Sequence, residues 1–384
     1  MPSLLPAPTP TGRTIVALAA LAVLAPRGAA LIEFDEGRNQ IGVTATYGIA
    51  YDSNVFVRAG GAGDSSQVAS LGADYNRRAG LIGVHAAAAV AVARYVDLTA
   101  ENYTNPSFSV DLTKDQGRLT GSAGLSVRRD SRSDAAANVR ATSWNYGATL
   151  NARYPINERY YFTSATGFSL QDYVDNPGLF NLSSYSEAVD IFYAYTSKLD
   201  FLGGYRIRGG AAEGGTHTLD QAVTAGASGS VLAKLNGSIR LGYQWRDENG
   251  AQGRRYDALT TSLALAWPVN KRVLVSAAAS KDFTTTATDI SVDTTAFSLS
   301  ANLKPALKVK LVLDAGVEYS TSDFLGLAGG GRRDHAWTWN AGVSAPLFSK
   351  VSAALAYTYT DNGSNIAFSQ FARYTVTCNL SVRF

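Results

Sequence analysis

Few residues in this 384-residue chain have the types and spacing that chemistry needs. There are three histidines, His85, His217 and His335. A Ser–His–Asp or acidic-dyad site would need histidine and acids grouped at one rim. His85 falls in mid-strand, and the other two open strands, so none sits in such a motif. Arg332, Arg333, Asp334 and His335 read as a solvated or lipopolysaccharide-facing loop. Asp52, Ser53, Asn54 and Asp64 offer oxygen ligands for calcium, but their spacing fits no calcium loop. The glycine runs 60–63 and 329–331 do not join a strand to a helix, so they are not phosphate cradles. The single cysteine, Cys378, can neither pair internally nor build a thiolate metal site. The expectation is no enzyme, no metal and no cofactor.

Without a catalytic constellation, the elements themselves become informative. The chain is 46% hydrophobic but only 17% charged, with 36 Gly and 20 Tyr. Mean hydropathy is −0.04. A helical membrane protein needs runs of about 20 apolar residues, and none is present. Soluble domains average about 25% charged. A β-barrel with one face to lipid and one to a polar lumen suits this intermediate character.

The N-terminus carries Arg13, an apolar stretch over 15–25, and Pro26-Arg27-Gly28-Ala29-Ala30. A basic start, a short apolar core and a small-residue ending predict a secretory signal peptide, 1–30, cleaved after Ala30. Eleven apolar residues are too few for a helical span. Cleavage removes Arg13 and Arg27 from the 34 basic residues and none of the 31 acids, for a mature net charge of +1. That balance argues against a nucleic-acid binder. Residues 31–41 read as a short periplasmic segment, and 42–384 as the barrel.

From Gly42 onward the chain alternates polar and apolar residues in segments of about ten, the signature of strands. The last segment is the clearest. Tyr374, Val376, Cys378, Leu380, Val382 and Phe384 share one face, and Arg373, Thr375, Thr377, Asn379, Ser381 and Arg383 the other. An amphipathic final strand ending in an aromatic residue is the pattern read by the barrel assembly machinery. Tyr374, Val376, Leu380, Val382 and Phe384 are therefore the expected assembly signal. Aromatics such as Tyr51, Tyr154, Tyr243, Trp267, Trp337 and Tyr359 cluster at the ends of apolar faces, as in the girdles of membrane barrels.

Two classes of connection alternate. Eight are tight: 76–80, 113–117, 155–159, 197–200, 233–236, 268–272, 304–308 and 346–350. Nine are looser and rich in Gly, Asp, Asn and Ser: 52–66, 97–106, 130–138, 174–183, 209–216, 247–255, 284–290, 323–335 and 361–369. Seventeen connections predict an all-β, antiparallel up-and-down transmembrane barrel of about eighteen strands, within a range of sixteen to eighteen, with both termini periplasmic. The segment 107–113 is the weakest strand and 86–93 is unusually rich in alanine.

A barrel of this size leaves an aqueous channel. The alternation puts Arg153, Arg206, Arg208, Arg240, Arg246, Lys308, Lys310 and Arg373 on the lumen side. Asp74, Asp190, Asp200, Asp314 and Glu318 join them. Their basic excess predicts a slight preference for anions, unless the charges pair across the lumen. Tyr161, Tyr173, Phe192 and Tyr256 share that side and either stack sugars or pack an inward-folded loop. The connections 52–66 and 323–335 are the longest, and either folding inward would narrow the pore.

The opening at 42–56, GVTATYGIAYDSNVF, resembles the first strand and loop of the β-barrel porin-2 family, which carries a Tyr-Asp-x-Asn-Val-Phe-like turn. The resemblance implies repeated hairpins running to a C-terminal Phe. It also implies a link to exopolysaccharide export, since some members have one. The leading expectation is thus a porin-like outer-membrane channel of a Gram-negative cell, for small solutes or an exported polysaccharide. The expected partners are membrane lipid and lipopolysaccharide, the assembly machinery, polysaccharide export components and further copies of the chain. The alternatives are a non-conducting structural or surface-interaction barrel and, further off, an outer-membrane enzyme.

Overall fold

A computed structural model describes residues 31–384 except 36–37, 79, 175–177, 233, 250–252, 308–309 and 328–330. The signal segment 1–30 and Lys308 thus lie outside the described residues. The strands in chain order are β1 Leu31–Phe34, β2 Asn39–Asp52, β3 Asp64–Arg77, β4 Gly83–Tyr95, β5 Tyr103–Lys114, β6 Thr120–Asp134 and β7 Val139–Pro155. Then come β8 Tyr160–Val174, β9 Leu182–Ala194, β10 Leu199–Ala212, β11 His217–Leu232, β12 Leu235–Asn249 and β13 Arg254–Asn270. The last six are β14 Val273–Thr285, β15 Ser291–Leu303, β16 Val312–Phe324, β17 Arg332–Pro346, β18 Val351–Ser364 and β19 Phe371–Arg383.

Each strand from β2 onward pairs antiparallel with the next, and β19 pairs with β2, so eighteen strands close on themselves. Closure follows from the alternation, because a sheet with one apolar outer face cannot leave an open edge in lipid. The eighteen strands of the closed barrel, β2 to β19, are twelve to seventeen residues long. About 9–11 tilted residues cross a bilayer, so every strand projects beyond the apolar belt. That is why the observed loops are shorter than the sequence predicts: the segment 130–138 is mostly strand, leaving only 135–138 as loop. The weak segment 107–113 lies inside β5. Its Pro106 faces β4, and pairing with β6 begins only at Ser107, which suits a residue that cannot donate to a ladder.

The outer face is apolar around the barrel. Leu71, Leu125, Leu150, Ile191, Leu241, Leu299 and Leu355 are among its exposed side chains. At the loop end, Tyr51, Tyr374 and Tyr357 meet ring to ring, as do Tyr319, Trp337 and Trp339. Tyr160 with Tyr193, and Tyr195 with Phe201, do the same at the turn end. These are the two aromatic girdles of a barrel that spans a bilayer.

The seam is closed by the final residue. Phe384 N–H donates to the Val43 carbonyl at 2.7 Å, and the Phe384 carbonyl accepts from Val43 N–H at 3.0 Å. Just beyond this rung, β1 continues the same line along β2, with Leu31 opposite Gly42 and Phe34 opposite Asn39. Strand pairing on β2 therefore begins at Asn39, inside the segment 31–41.

Candidate functional site: the lumen and its mouth

The inward faces of β9 to β12 carry a charged wall. Arg240 Nη1 donates to both carboxylate oxygens of Asp190 at 2.8 Å. Arg206 grips Asp282 of β14 with two bonds of 2.9 and 2.8 Å. Asp220 receives Arg246 on both oxygens, at 2.6 and 2.8 Å, and Arg208 at 2.8 and 2.5 Å. The Arg246–Asp220 pair is about 2% exposed on each side, so it is a buried ion pair rather than a pore-facing charge.

What buries it is the β14–β15 hairpin. Pairing between β13 and β14 stops at Thr261 opposite Lys281. β13 continues to Arg254 on β12 alone, while the end of β14–β15 turns into the lumen and lies against β10–β12. Its main chain is caught by the wall: the Phe283 carbonyl accepts from Arg208 at 2.5 Å and the Thr284 carbonyl from Arg246 at 2.8 Å. Phe283 is fully buried, with the Arg246 guanidinium 5.4 Å from its ring centre. The hairpin tip reaches further. Asp289 accepts from Thr216 N–H at 3.0 Å, and Phe180 N–H donates to the Ala287 carbonyl at 2.7 Å.

A second group of contacts ties the other side of the mouth. The loop 53–63 folds inward, with Val55 and Val57 buried. Ser133 donates to the Val55 carbonyl at 2.5 Å, and Asn138 to the Val57 carbonyl at 2.8 Å. Ser369, in the loop 365–370, donates to Asn138 at 2.7 Å. Val57 has φ +51, a costly conformation for a β-branched residue that persists only where its surroundings over-determine it. Arg332, at the start of β17, spans to the β6–β7 loop and donates to the Ala136 and Ala135 carbonyls at 2.6 and 2.8 Å.

The remaining residues read from the sequence are spread apart. Arg373 forms a two-bond pair with Asp52 at the seam, at 2.9 and 2.6 Å. Arg153 lies 3.9 Å from the Tyr161 ring centre, and Phe192 stacks on Tyr161 at 4.6 Å with planes 7° apart. Both faces of Tyr161 are thus covered, and its hydroxyl donates to Asp200 at 2.7 Å. Tyr161 is therefore not an open platform for a sugar ring. Asp314 accepts from Asn302 at 2.6 Å, and Glu318 lies on the lumen side of β16. Lys310 is exposed in the turn ahead of β16. Among the described residues, no group of three or more His, Cys, Asp or Glu is placed to hold a metal.

Sequence reasoning named 52–66 and 323–335 as the connections that could fold inward but missed the hairpin and the residues that dock it: Asp220, Asp282, Phe283 and Asp289. A signal was present. Lys281 and Asp293 fall on the lipid parity of β14 and β15, where charge does not belong, and they pair at 2.6 Å where the hairpin leaves the wall.

The fold and lumen define a closed eighteen-stranded membrane-spanning barrel with a polar interior and a partly occluded mouth. The family described as "Putative beta-barrel porin 2" matches residues 217–384, a little under half of the chain. This match lies outside 42–56, so it is independent of the motif there. OpdO of Pseudomonas aeruginosa is similar over 90% of this chain and 97% of its own, at 13% identity and a TM-score of 0.50. OccAB3 of Acinetobacter baumannii is similar over 90% and 99%, at 9% identity and 0.50. At such identity the likeness is one of fold. No curated protein sequence matches the chain.

Proposed function

We propose that this protein is a passive, non-enzymatic channel of the outer membrane, with its short turns and both termini in the periplasm and its longer loops outside. The observation that carries this reading is the closed eighteen-stranded wall with a polar inner face, a size that leaves an aqueous passage. The match to a porin family and the fold of OpdO and OccAB3 support it. The inward hairpin and the tied loops narrow the outer mouth, which favours small solutes over a polymer. An exported polysaccharide is the alternative cargo, and it requires the ties to open. Most wall arginines are already paired with aspartates, so selectivity is weak and slightly anionic.

The test is single-channel recording of the mature barrel in a planar bilayer. Stable unitary steps are expected. Asp282→Asn, which loosens the hairpin, is expected to raise unitary conductance. Lys310→Glu is expected to move the reversal potential towards cations. A correctly folded, heat-modifiable barrel that stays silent in both the native and Asp282→Asn forms would overturn the channel reading. It would instead favour a closed structural barrel, the role to which the interlocked loops point.

A further inference from the structure

Glu187 is in the wrong solvent. It lies on the outer face of β9, between Tyr185 towards the loop end and Val189 and Ile191 towards the turn end, all three exposed. Its neighbours on the outer face of β8 hold it: Ser164 donates to Oε1 at 2.7 Å and Thr166 to Oε2 at 2.5 Å. An ionisable side chain at lipid depth is expensive and normally meets a partner. Two hydroxyl donors leave part of the carboxyl's acceptor capacity unused.

One group of the required kind stands beside it. Tyr205 is exposed on the outer face of β10, diagonally next to Glu187, and its hydroxyl donates to the neutral Gln221 amide oxygen on β11, an acceptor it can exchange for a stronger, charged carboxylate. A strand rise of about 3.3 Å, a spacing of about 4.8 Å and a tilt of about 40° put the two within roughly 2 Å of the same depth. A two-fold axis along the membrane normal preserves depth. It therefore sets Glu187 of one copy against Tyr205 of the other, and the reverse, as a self-complementary patch requires. We propose that a second copy of this chain docks on the outer wall of β8–β10 around Glu187. This rests on the exterior facing lipid, not on conduction.

Val189→Cys, in a Cys378→Ser background, tests it in native membranes. The expected result is a disulfide-linked dimer, with none from Leu299→Cys on a distant wall. Adding Glu187→Leu is expected to abolish the dimer, whereas Glu187→Gln, which still hydrogen-bonds, retains it. No dimer, equal dimer from Leu299→Cys, a cross-linked species of another size, or indifference to Glu187→Leu would each overturn the proposal. Heat-modifiability checks that every variant folds.

A separate observation carries a second inference, which adds a switch to the proposed channel. Among the described residues, β13 from Arg255 to Thr260 has no strand on its β14 side. Continuing the existing register would set Thr260 opposite Asp282, Leu259 opposite Phe283 and Ala258 opposite Thr284. The extension keeps the alternation of β14 at Asp282, Phe283 and Thr284, and it carries the Lys281–Asp293 pair out at the level of the Tyr243 girdle as a mutually neutralised pair. Phe283 would join exposed Leu259 on the lipid face, beside Tyr243, while Asp282 and Thr284 would stay inward. Against this, the docked arrangement leaves Gln244 Nε2 and Tyr256 Oη buried without partners. Each such group carries a desolvation penalty that no hydrogen bond offsets. We infer that the hairpin has two seats, one docked in the lumen and one zipped into the wall, and that zipping opens the mouth and uncovers Arg206, Arg208 and Arg246.

Paired cysteines separate the two seats, again in Cys378→Ser. Thr216→Cys with Asp289→Cys reports the docked seat. Ala258→Cys with Thr284→Cys, and Leu259→Cys with Phe283→Cys, report the zipped one. Being adjacent rungs, one of these two lies at the closer spacing that suits a disulfide. Oxidation is expected to cross-link a zipped pair in folded barrels, and Asp282→Asn to shift more chains into it. If both zipped pairs stay reduced while 216–289 closes, the second seat does not exist. The readout is gel mobility, so it decides this point even for a barrel that does not conduct.

Discussion

Replacing Asp220 by Asn is expected to destabilise the barrel by about 3–5 kcal/mol, the cost of breaking a buried ion pair by removing one partner. Asp220 is shared by Arg208 and Arg246, and both it and Arg246 are about 2% exposed. Without it the buried Arg246 guanidinium loses the carboxylate it is paired with and keeps only neutral acceptors, the Thr284 carbonyl and the Thr285 and Ser291 hydroxyls. Arg208 keeps Asp282, at 3.3 Å. The measurement is the urea midpoint of the folded barrel in lipid vesicles. Asp52→Asn at the seam is the matched control. Its partner Arg373 is 29% exposed and can be rehydrated, so a clearly smaller loss is expected. Equal losses at both sites would mean that the Asp220 cluster is far wetter than its packing indicates.

Leu241→Arg is expected to cost about 2–4 kcal/mol, the penalty for a cation on the lipid face near the bilayer midplane. Leu241 is 55% exposed, between Ile239 and girdle Tyr243 on β12. In a water-soluble protein an exposed Leu→Arg change is usually within about 0.5 kcal/mol of neutral. The sign and size therefore discriminate between the two solvents directly. Reversible unfolding in vesicles of fixed thickness gives the number. A neutral result would place the apolar face in water and undo the membrane assignment.

The hairpin plan was legible because its causes are local. Period-two alternation needs only neighbours in sequence, and Pro155, Pro268 and Pro346 mark strand ends where a missing donor does least harm. The lumen face of Arg206, Arg208, Arg240, Arg246 and Arg373 followed from the same parity. What Arg246 touches did not. Its partner Asp220 is 26 positions away and its cover, Phe283, is 37 positions away. Both depend on where β14 leaves the sheet, and that is settled by tertiary competition between a ladder and a cluster of charged bonds. Glu187 is an intermediate case. Alternation alone puts it on the lipid side, but only the register across β8 brings Ser164 and Thr166 to its two oxygens.

The short strand β1 has a bearing on how the barrel chooses its closure. Sliding a strand by one residue inverts its faces and is ruled out by hydrophobicity. Sliding by two keeps every side chain on its proper side, so alternation offers no protection against it. Here the rungs that such a slide would need, opposite Gly42 and Ile41, are already taken by Leu31 and Ile32. Phe384 comes to rest on Val43 with the next place on the rail occupied. In that direction the N-terminal segment acts as an end-stop, setting the stagger of the last strand against the first and hence the girth of the cylinder.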